Sequence, residues 1–427
     1  MDNDEIITQI PTLEWLDQQT NILTKLSDVL HNAATVKIPE VPPTSSLTLQ
    51  NCRDVGSILS RCRKLTRITF ADAGLTAEML SALFQAEDGP YAFPLENMGL
   101  SDNGFGANGI EALRSFLVSR KGPLRSLHLH NNELGDGGAA LLAEILEEMR
   151  ISELDLSENQ LTSEGLSRVF QSKNTTYALT DLCIRENGDG SREKEEIVNF
   201  LGRDDIALDA IAVGSYSVQL DIDWAVKLIR SLQTNVETTE ILLLCSNQNS
   251  DWQDEKAPFQ CIDVALKELV CNCSSVDALC RSNHVFSEFC ICTLTHPFGE
   301  NYVAPPIVKR ALRINACEDL SINAKVRRKM QSILFRDGFD MGPFVSMKNI
   351  FIPHVLEIIT RTEAAAMEDS DEEHDGERFD SFPIGNLDGI FHFVRNWQFL
   401  IFPDLETGCN NISRKRNRNI ILQRHKK

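Results

Sequence analysis

Two stretches concentrate residue types that elsewhere do chemistry. His128 to Gly138 reads HLHNNELGDGG, with two histidines, two asparagines and two carboxylates ahead of the Gly137–Gly138 pair. One chemistry open to it is metal binding, by His128 and His130 with Glu153 and Asp155 supplied from a neighbouring strand about 4.8 Å away. The alternative is that these are the outward residues of a strand and simply meet water. A phosphate-cradling loop would need G-x-x-x-x-G-K-[ST], which is not there. The second stretch holds Cys271, Cys273, Cys280, Cys290 and Cys292 with His284 among them. C-x-C twice around a histidine can be drawn as a zinc site. That spacing wraps a tetrahedral ion less well than C-x₂₋₄-C, and the outer pairs lie far apart. Cys290 and Cys292 alternate along FSEFCICTL as inward residues of a strand would, which favours buried core thiols. No nucleophile elbow or H-E-x-x-H accompanies either stretch, so the expectation is a protein that is not an enzyme, with no cofactor and no metal.

The elements that position these residues repeat along the chain. LENMGLSDN at Leu95, LRSLHLHNN at Leu124, ISELDLSEN at Ile151 and LTDLCIREN at Leu179 align. Each is apolar at its first, fourth and sixth positions and has asparagine at its ninth, namely Asn103, Asn132, Asn159 and Asn187. The starts are 29, 27 and 28 residues apart. Weaker copies are expected at Thr44, Leu65, Leu208 and Thr239, the register after residue 235 being open. Between the copies, NGIEALRSFLVSR and GGAALLAEILEEM carry helical apolar spacing, with Gly137 and Gly138 as a tight helix entry. A unit with one apolar face cannot bury it alone, so the copies must stack.

The pattern L-x-x-L-x-L-x-x-N-x-L resembles the leucine-rich repeat of the ribonuclease-inhibitor class. The resemblance implies an α/β fold: a curved leucine-rich-repeat solenoid (horseshoe) with parallel strands on the concave face, helices outside and a helical C-terminal cap. It also implies that the ninth-position asparagines turn inward to satisfy loop backbone groups. Later segments, SSVDALCRSNHVFSEF, LRINACEDLSINAKVRRKMQSIL, FDMGPFVSMKNIFIPHVLEII and LDGIFHFVRNWQFLIF, resemble uncharacterised leucine-rich-repeat proteins of diatoms, with Gln398 where that group has proline. Those resemblances cover roughly 44–403 and imply no activity. The expected organisation is a helical N-terminal cap over 1–43, repeats over 44–295, a helical region over 296–403 and a basic disordered tail over 404–427.

The 427 residues carry a net charge of −20, which disfavours nucleic acid and anionic membrane as partners. The N-terminus lacks a signal peptide's basic and apolar regions, and no apolar run reaches the ~18 residues of a membrane span. A cytoplasmic, or else nuclear, protein with reduced cysteines is expected, which sets aside the sequons at Asn174, Asn272 and Asn411. Residues 367–380 hold eight carboxylates against one arginine, reading as a solvated loop. Residues 409–427 hold seven lysines and arginines and no carboxylate, as a nuclear import signal or a disordered tail would.

Outward positions of the repeats give Asp102, His128, His130, Asn131, Glu153, Asp155, Glu158, Asp181, Arg185 and Glu186. This mostly acidic patch is either a docking surface for a protein partner with a basic segment or a solvated face. Ala210, Ala212 and Gly214 would bound it. The leading expectation is a monomeric, non-catalytic interaction scaffold using its concave repeat face. A regulator of a small GTPase, resembling the Ran GTPase-activating proteins, is the alternative. A ubiquitin-ligase receptor is a third, although PTLEWLDQQTNILTKLSDVL does not match an F-box clearly.

Overall fold

The computed structural model describes residues 7–9, 35–38, 47–84, 93–119, 122–188, 190–246, 259–274, 276–293 and 302–336. They divide into two compact units, the first holding residues 1–271 and 282–319 and the second 272–281 and 320–427.

In the first unit, ten strands form one parallel sheet in chain order. They are β1 (Ile7–Gln9), β2 (Thr35–Ile38), β3 (Arg67–Phe70), β4 (Asn97–Gly99), β5 (Leu124–His128), β6 (Ile151–Asp155), β7 (Asp181–Cys183), β8 (Ala210–Gly214), β9 (Glu240–Leu244) and β10 (Glu288–Cys292). The helices between them are α1 (Leu49–Arg61), α2 (Ala77–Phe84), α3 (Gly106–Ser119), α4 (Gly135–Glu148), α5 (Ser163–Gln171), α6 (Lys173–Tyr177), α7 (Ser191–Leu201), α8 (Ile222–Ser231) and α9 (Gln260–Val270), and α11 (Pro306–Ala316) follows β10. The second unit contributes α10 (Val276–Cys280) and α12 (Ile322–Arg336). An open parallel sheet with a helical crossover after each strand from β2 onward is a leucine-rich-repeat solenoid, as the period predicts.

The core lies between sheet and helices and is built by the same positions in each unit. Leu127, Leu129 and Leu134 of one repeat stack on Leu154, Leu156 and Leu161 of the next, all nearly fully buried. From α1 to α5 each helix packs on the following one, bringing Leu113, Leu142 and Leu166 together under the sheet. Caps tie neighbouring helices as well. Asp136 of α4 accepts from the backbone N–H of Thr162 at 2.9 Å and of Gly165 at 3.0 Å, covering the orphan amides that open α5.

Three local expectations change. The described part of the copy expected at Thr44, from Leu47 onward, is not a strand. Thr48 and Asn51 form a reciprocal capping box, so LQNCRDVGSILSR is helix α1, and the strand of that unit is β2 at Thr35–Ile38. The copy expected from Thr239 begins one residue earlier, because Ala210 pairs with Glu240 and Glu240 with Glu288. Helix α4 begins at Gly135, whose φ of +57° makes the turn, and Gly137 and Gly138 lie inside its first turn. The calls on residues 1–6, 10–34, 39–46 and 337–427, including the acidic loop and the basic tail, lie outside the described residues.

Candidate functional site

Pairing between strands aligns outward residues into rows across the open face of the sheet, away from the helices. At the third position of successive repeats the row runs Arg67, Asn97, Ser126, Glu153, Asp181, Ala210, Glu240, Glu288. At the fifth it runs Thr69, Gly99, His128, Asp155, Cys183, Ala212, Leu242, Cys290. A recurrent bulge sets this phase. The second-position carbonyl of one repeat accepts two successive amides of the next: Glu96 takes Arg125 and Ser126, Thr180 takes Asp209 and Ala210, and Asp209 takes Thr239 and Glu240.

The ten residues expected to bind a partner divide by place. His128, Glu153, Asp155 and Asp181 lie in these two rows, with His128 beside Asp155 and Glu153 beside Asp181. His130 and Arg185 sit one step further, where the chain leaves the strands. His130 Nε2 lies 3.7 Å from Asp102 and 3.6 Å from Glu158, within ion-pair range of both. Arg185 Nε donates to Cys183 Sγ at 2.8 Å. Burial, then the charge of Asp155, pushes the Cys183 thiol up.

Asp102, Asn131, Glu158 and Glu186 occupy the eighth position, where every one has φ between 51° and 61°. They form the left-handed step before the asparagine. Asn131 Nδ2 donates to Asp102 at 3.0 Å, and Glu186 accepts from Ser215 Oγ and the Tyr216 amide. These four side chains are thus partly engaged along the turn edge, below the strand rows.

The asparagines themselves face inward. Asn132 accepts from the Asn103 and Gly104 amides at 3.1 and 3.2 Å, and its Nδ2 donates to the carbonyls of Leu100, Leu129 and His130. Asn159 does the same for Asn132 and Leu134, Asn187 for Asn159 and Leu161, and Asn103 for Ala73 and Leu75. Each amide therefore serves its own turn and the preceding repeat's, pairing backbone groups that the turn would otherwise bury.

The 282–284 SNH motif is structural as well. Asn283 is buried, accepts the Val285 and Phe286 amides at 2.8 Å each, and donates to the Leu232 and Asn235 carbonyls. Asn315 of LRIN donates in the same way to the Asn283 and Phe286 carbonyls. A second amide series thus runs along the helix-to-strand turns at Asn235, Asn283 and Asn315. Asn174 holds the amide and carbonyl of Ile151 from a buried position, so its sequon is closed by the fold.

Cysteine placement splits the reading of FSEFCICTL: Cys292 is fully buried, as expected of a core thiol, and Cys290 is not. Phe289 and Ile291 point inward, whereas Cys290 is half-exposed on the open face with its Sγ 3.2 Å from Glu288. Among the described residues, no three of His, Cys, Asp and Glu converge on a metal-sized site.

Sequence reasoning missed Arg67, Asn97, Ser126, Glu240 and Glu288, the rest of the third-position row. The signal was the count from each repeat start, which the weaker copies obscured. Glu240 lies between Ala210 and Glu288. Burial, then Glu288, Asp181 and Asp209, raises its carboxyl above the ordinary carboxylate range. No described residue of this row from Asp181 to Glu288 supplies a positive charge.

A model described as "Leucine Rich repeat" matches residues 123–143 and 151–169. The chain is 30% identical over 143 residues to the NACHT, LRR and PYD domains-containing protein 3 of Bos taurus, covering 33% of this chain and 14% of that protein. It is 30% identical over 150 residues to the ribonuclease inhibitor of Sus scrofa, covering 34% of this chain and 32% of the inhibitor. The chain thus spans less than a third of these relatives' own length. Among solved structures, the leucine-rich repeat-containing protein LegL7 from Legionella pneumophila aligns with a TM-score of 0.44 at 11% identity, over 75% of this chain and 100% of that one. The Rad7 and Elc1 complex in yeast aligns with a TM-score of 0.35 at 15% identity, over 67% and 69%. No helix among the described residues is long and apolar enough to cross a membrane. Units of this period, four of them closed at the turn by an inward asparagine, are similar to the leucine-rich repeats that the family model describes and to those of the inhibitor.

Proposed function

We propose that this protein is a non-catalytic interaction scaffold that binds a protein partner on the open, concave face of its sheet. The observation carrying this reading is the third-position row, where Asp181, Glu240 and Glu288 stand with no opposite charge among them. Like charges set beside the half-buried Glu240 destabilise its charged form, and a lysine or arginine side chain from a partner relieves that repulsion. Glu153, Asp155 and Glu158 extend the acidic surface, and His128, His130, Asn131, Asp102, Arg185 and Glu186 edge it. The partner segment is basic, and the scaffold acts as a monomer in cytoplasm or nucleus. The use of leucine-rich repeats as protein-binding surfaces supports this reading. The relatives found give no support to the small-GTPase-regulator alternative.

The test is proximity labelling with wild type and an Asp181→Lys/Glu240→Lys/Glu288→Lys variant, with Glu144→Lys/Glu148→Lys on α4 as control. Loss of the labelled partners in the first variant and retention in the second is expected. Retention in both removes the role of the row.

A further inference from the structure

A cleft of about 400 Å³ opens on the sheet face over β3 to β5, lined among others by Arg67, Thr69, Asn97, Gly99, Ser126 and His128. Gly99 creates it. Its row neighbours carry side chains, Thr69 on one side and His128 on the other, and β4 carries only hydrogen between them. The turn glycines Gly74, Gly104 and Gly135 have a backbone reason to be glycine, since their φ values are +61°, +68° and +57°. Gly99 has none: it is not among the positive-φ residues, and glycine inside a strand weakens it. A Cβ there would stand 3.3 Å from Thr69 Cγ2, a tight contact to which the half-exposed Thr69 side chain would have to give way by a few tenths of an ångström. The missing side chain keeps the floor of the cleft at backbone level between Thr69 and His128.

The cleft is rich in donors and positive at its rim. Arg67 is exposed and forms no ion pair with a described carboxylate. Ser126 Oγ donates to Asn97 Oδ1 at 2.8 Å, which leaves the Nδ2 end of that amide for a ligand. Arg125 and the carboxylate of Glu153 also line the cleft and pair with each other at 3.1 Å, so the positive charge for a ligand comes from Arg67. We propose that this cleft binds an aspartate or glutamate side chain of an extended partner segment, with Arg67 as its ion-pair partner and the Asn97 amide as a second donor.

The cleft also orients the segment. Arg67 is four strand spacings from Asp181 and six from Glu240 along the row, about 19 and 29 Å. An extended chain covers that in about six to nine residues. The partner segment thus carries its acidic residue six to nine positions from its lysine or arginine, the acid over β3–β4 and the base over β7–β9. The base end rests on the reading of the acidic row given above, and the anion cleft does not.

Panning the full chain against a displayed library of random dodecapeptides tests both. Recovered peptides are expected to pair Asp or Glu with Lys or Arg at that separation. Fluorescence anisotropy with a recovered peptide should show at least tenfold weaker binding to Arg67→Glu and to Gly99→Leu. Panning against Arg67→Glu should select a basic residue where wild type selected an acidic one, which holds even if Gly99→Leu fails to fold. Purely basic peptides indifferent to Arg67→Glu overturn the cleft and leave the acidic row standing. Peptides sensitive to Arg67→Glu and indifferent to Asp181→Lys/Glu240→Lys support the cleft and overturn the row. Enrichment of no peptide overturns both.

Discussion

Replacing Asn159 by alanine tests the load carried by the inward asparagines. Its side chain is fully buried and makes four hydrogen bonds, accepting from the Asn132 and Leu134 amides at 2.9 and 3.4 Å and donating to the Leu129 and Ser157 carbonyls at 2.8 and 3.0 Å. The losses are unequal. The Leu129 carbonyl keeps the Asn132 Nδ2 donor, and the Ser157 carbonyl keeps the Asn131 amide. The Asn132 and Leu134 amides lose their acceptor. An orphaned buried donor costs about 1–3 kcal/mol, and the long Leu134 contact loses less, so Asn159→Ala should destabilise by roughly 3 kcal/mol. Asn103→Ala removes an equivalent pair of bonds at a half-exposed site where water can replace them, and should cost about 1 kcal/mol. Urea unfolding followed by circular dichroism gives the difference from the midpoint shift at constant slope, and hydrogen exchange gives the protection of the two amides. If Asn159→Ala costs under 1 kcal/mol, or if Asn132 and Leu134 stay as protected as in wild type, the asparagine does not satisfy these turns.

Leu129→Asp puts an unpaired charge at a fully buried position and should unfold part of the array; melting like wild type would contradict the repeat stacking. Gly214→Ala should be among the most disruptive single substitutions, because φ is +94° and the new Cβ would sit 2.3 Å from the Leu244 carbonyl oxygen; calorimetry showing an unchanged transition would refute this. Glu240 binds its proton more tightly folded than unfolded, so its contribution favours the fold at low pH and falls away as pH rises through its raised pKa. Glu240→Gln should therefore stabilise the protein at neutral pH and flatten that slope in pH-dependent melts; a variant less stable at pH 7 would reverse the sign. Burial pushes the Cys52 and Cys62 thiols up to about 11 and those of Cys245 and Cys290 to about 12, whereas Cys261 is exposed. Iodoacetamide at pH 8 should modify Cys261 well ahead of these four by peptide mass spectrometry.

The repeat and its asparagine were legible because both are fixed residue types at fixed spacing. The left-handed backbone at Asp102, Asn131, Glu158 and Glu186 was not, since a polar residue at a turn edge has the same hydropathy as one on a strand face. The open-face row was half legible. Alternation gave His128 and Asp155, but the bulge at position two shifts the phase at strand entry, and Ser126 and Asn97 went unseen. In TEILLL nearly every residue is apolar, so two phases fit equally until the pairing of Glu240 with Ala210 selects one. LTLQNC alternates like a strand for a few residues, and the T-x-x-N box that makes it a helix start was its better signal. The anion cleft depends on a residue having no side chain, and a lone glycine in a weak repeat carries no pattern to read.

The asparagine series gives the array a direction in time. The Oδ1 of Asn132 completes the turn of the repeat before it, as do those of Asn159 and Asn187. During synthesis, each turn from Ala73 to Leu161 stays open until the next unit has left the ribosome, so ordering trails elongation by one repeat. Removing a unit from the N-terminal side of this stretch leaves every remaining turn amide with its asparagine acceptor, whereas cutting it from the C-terminal side strands a pair of them.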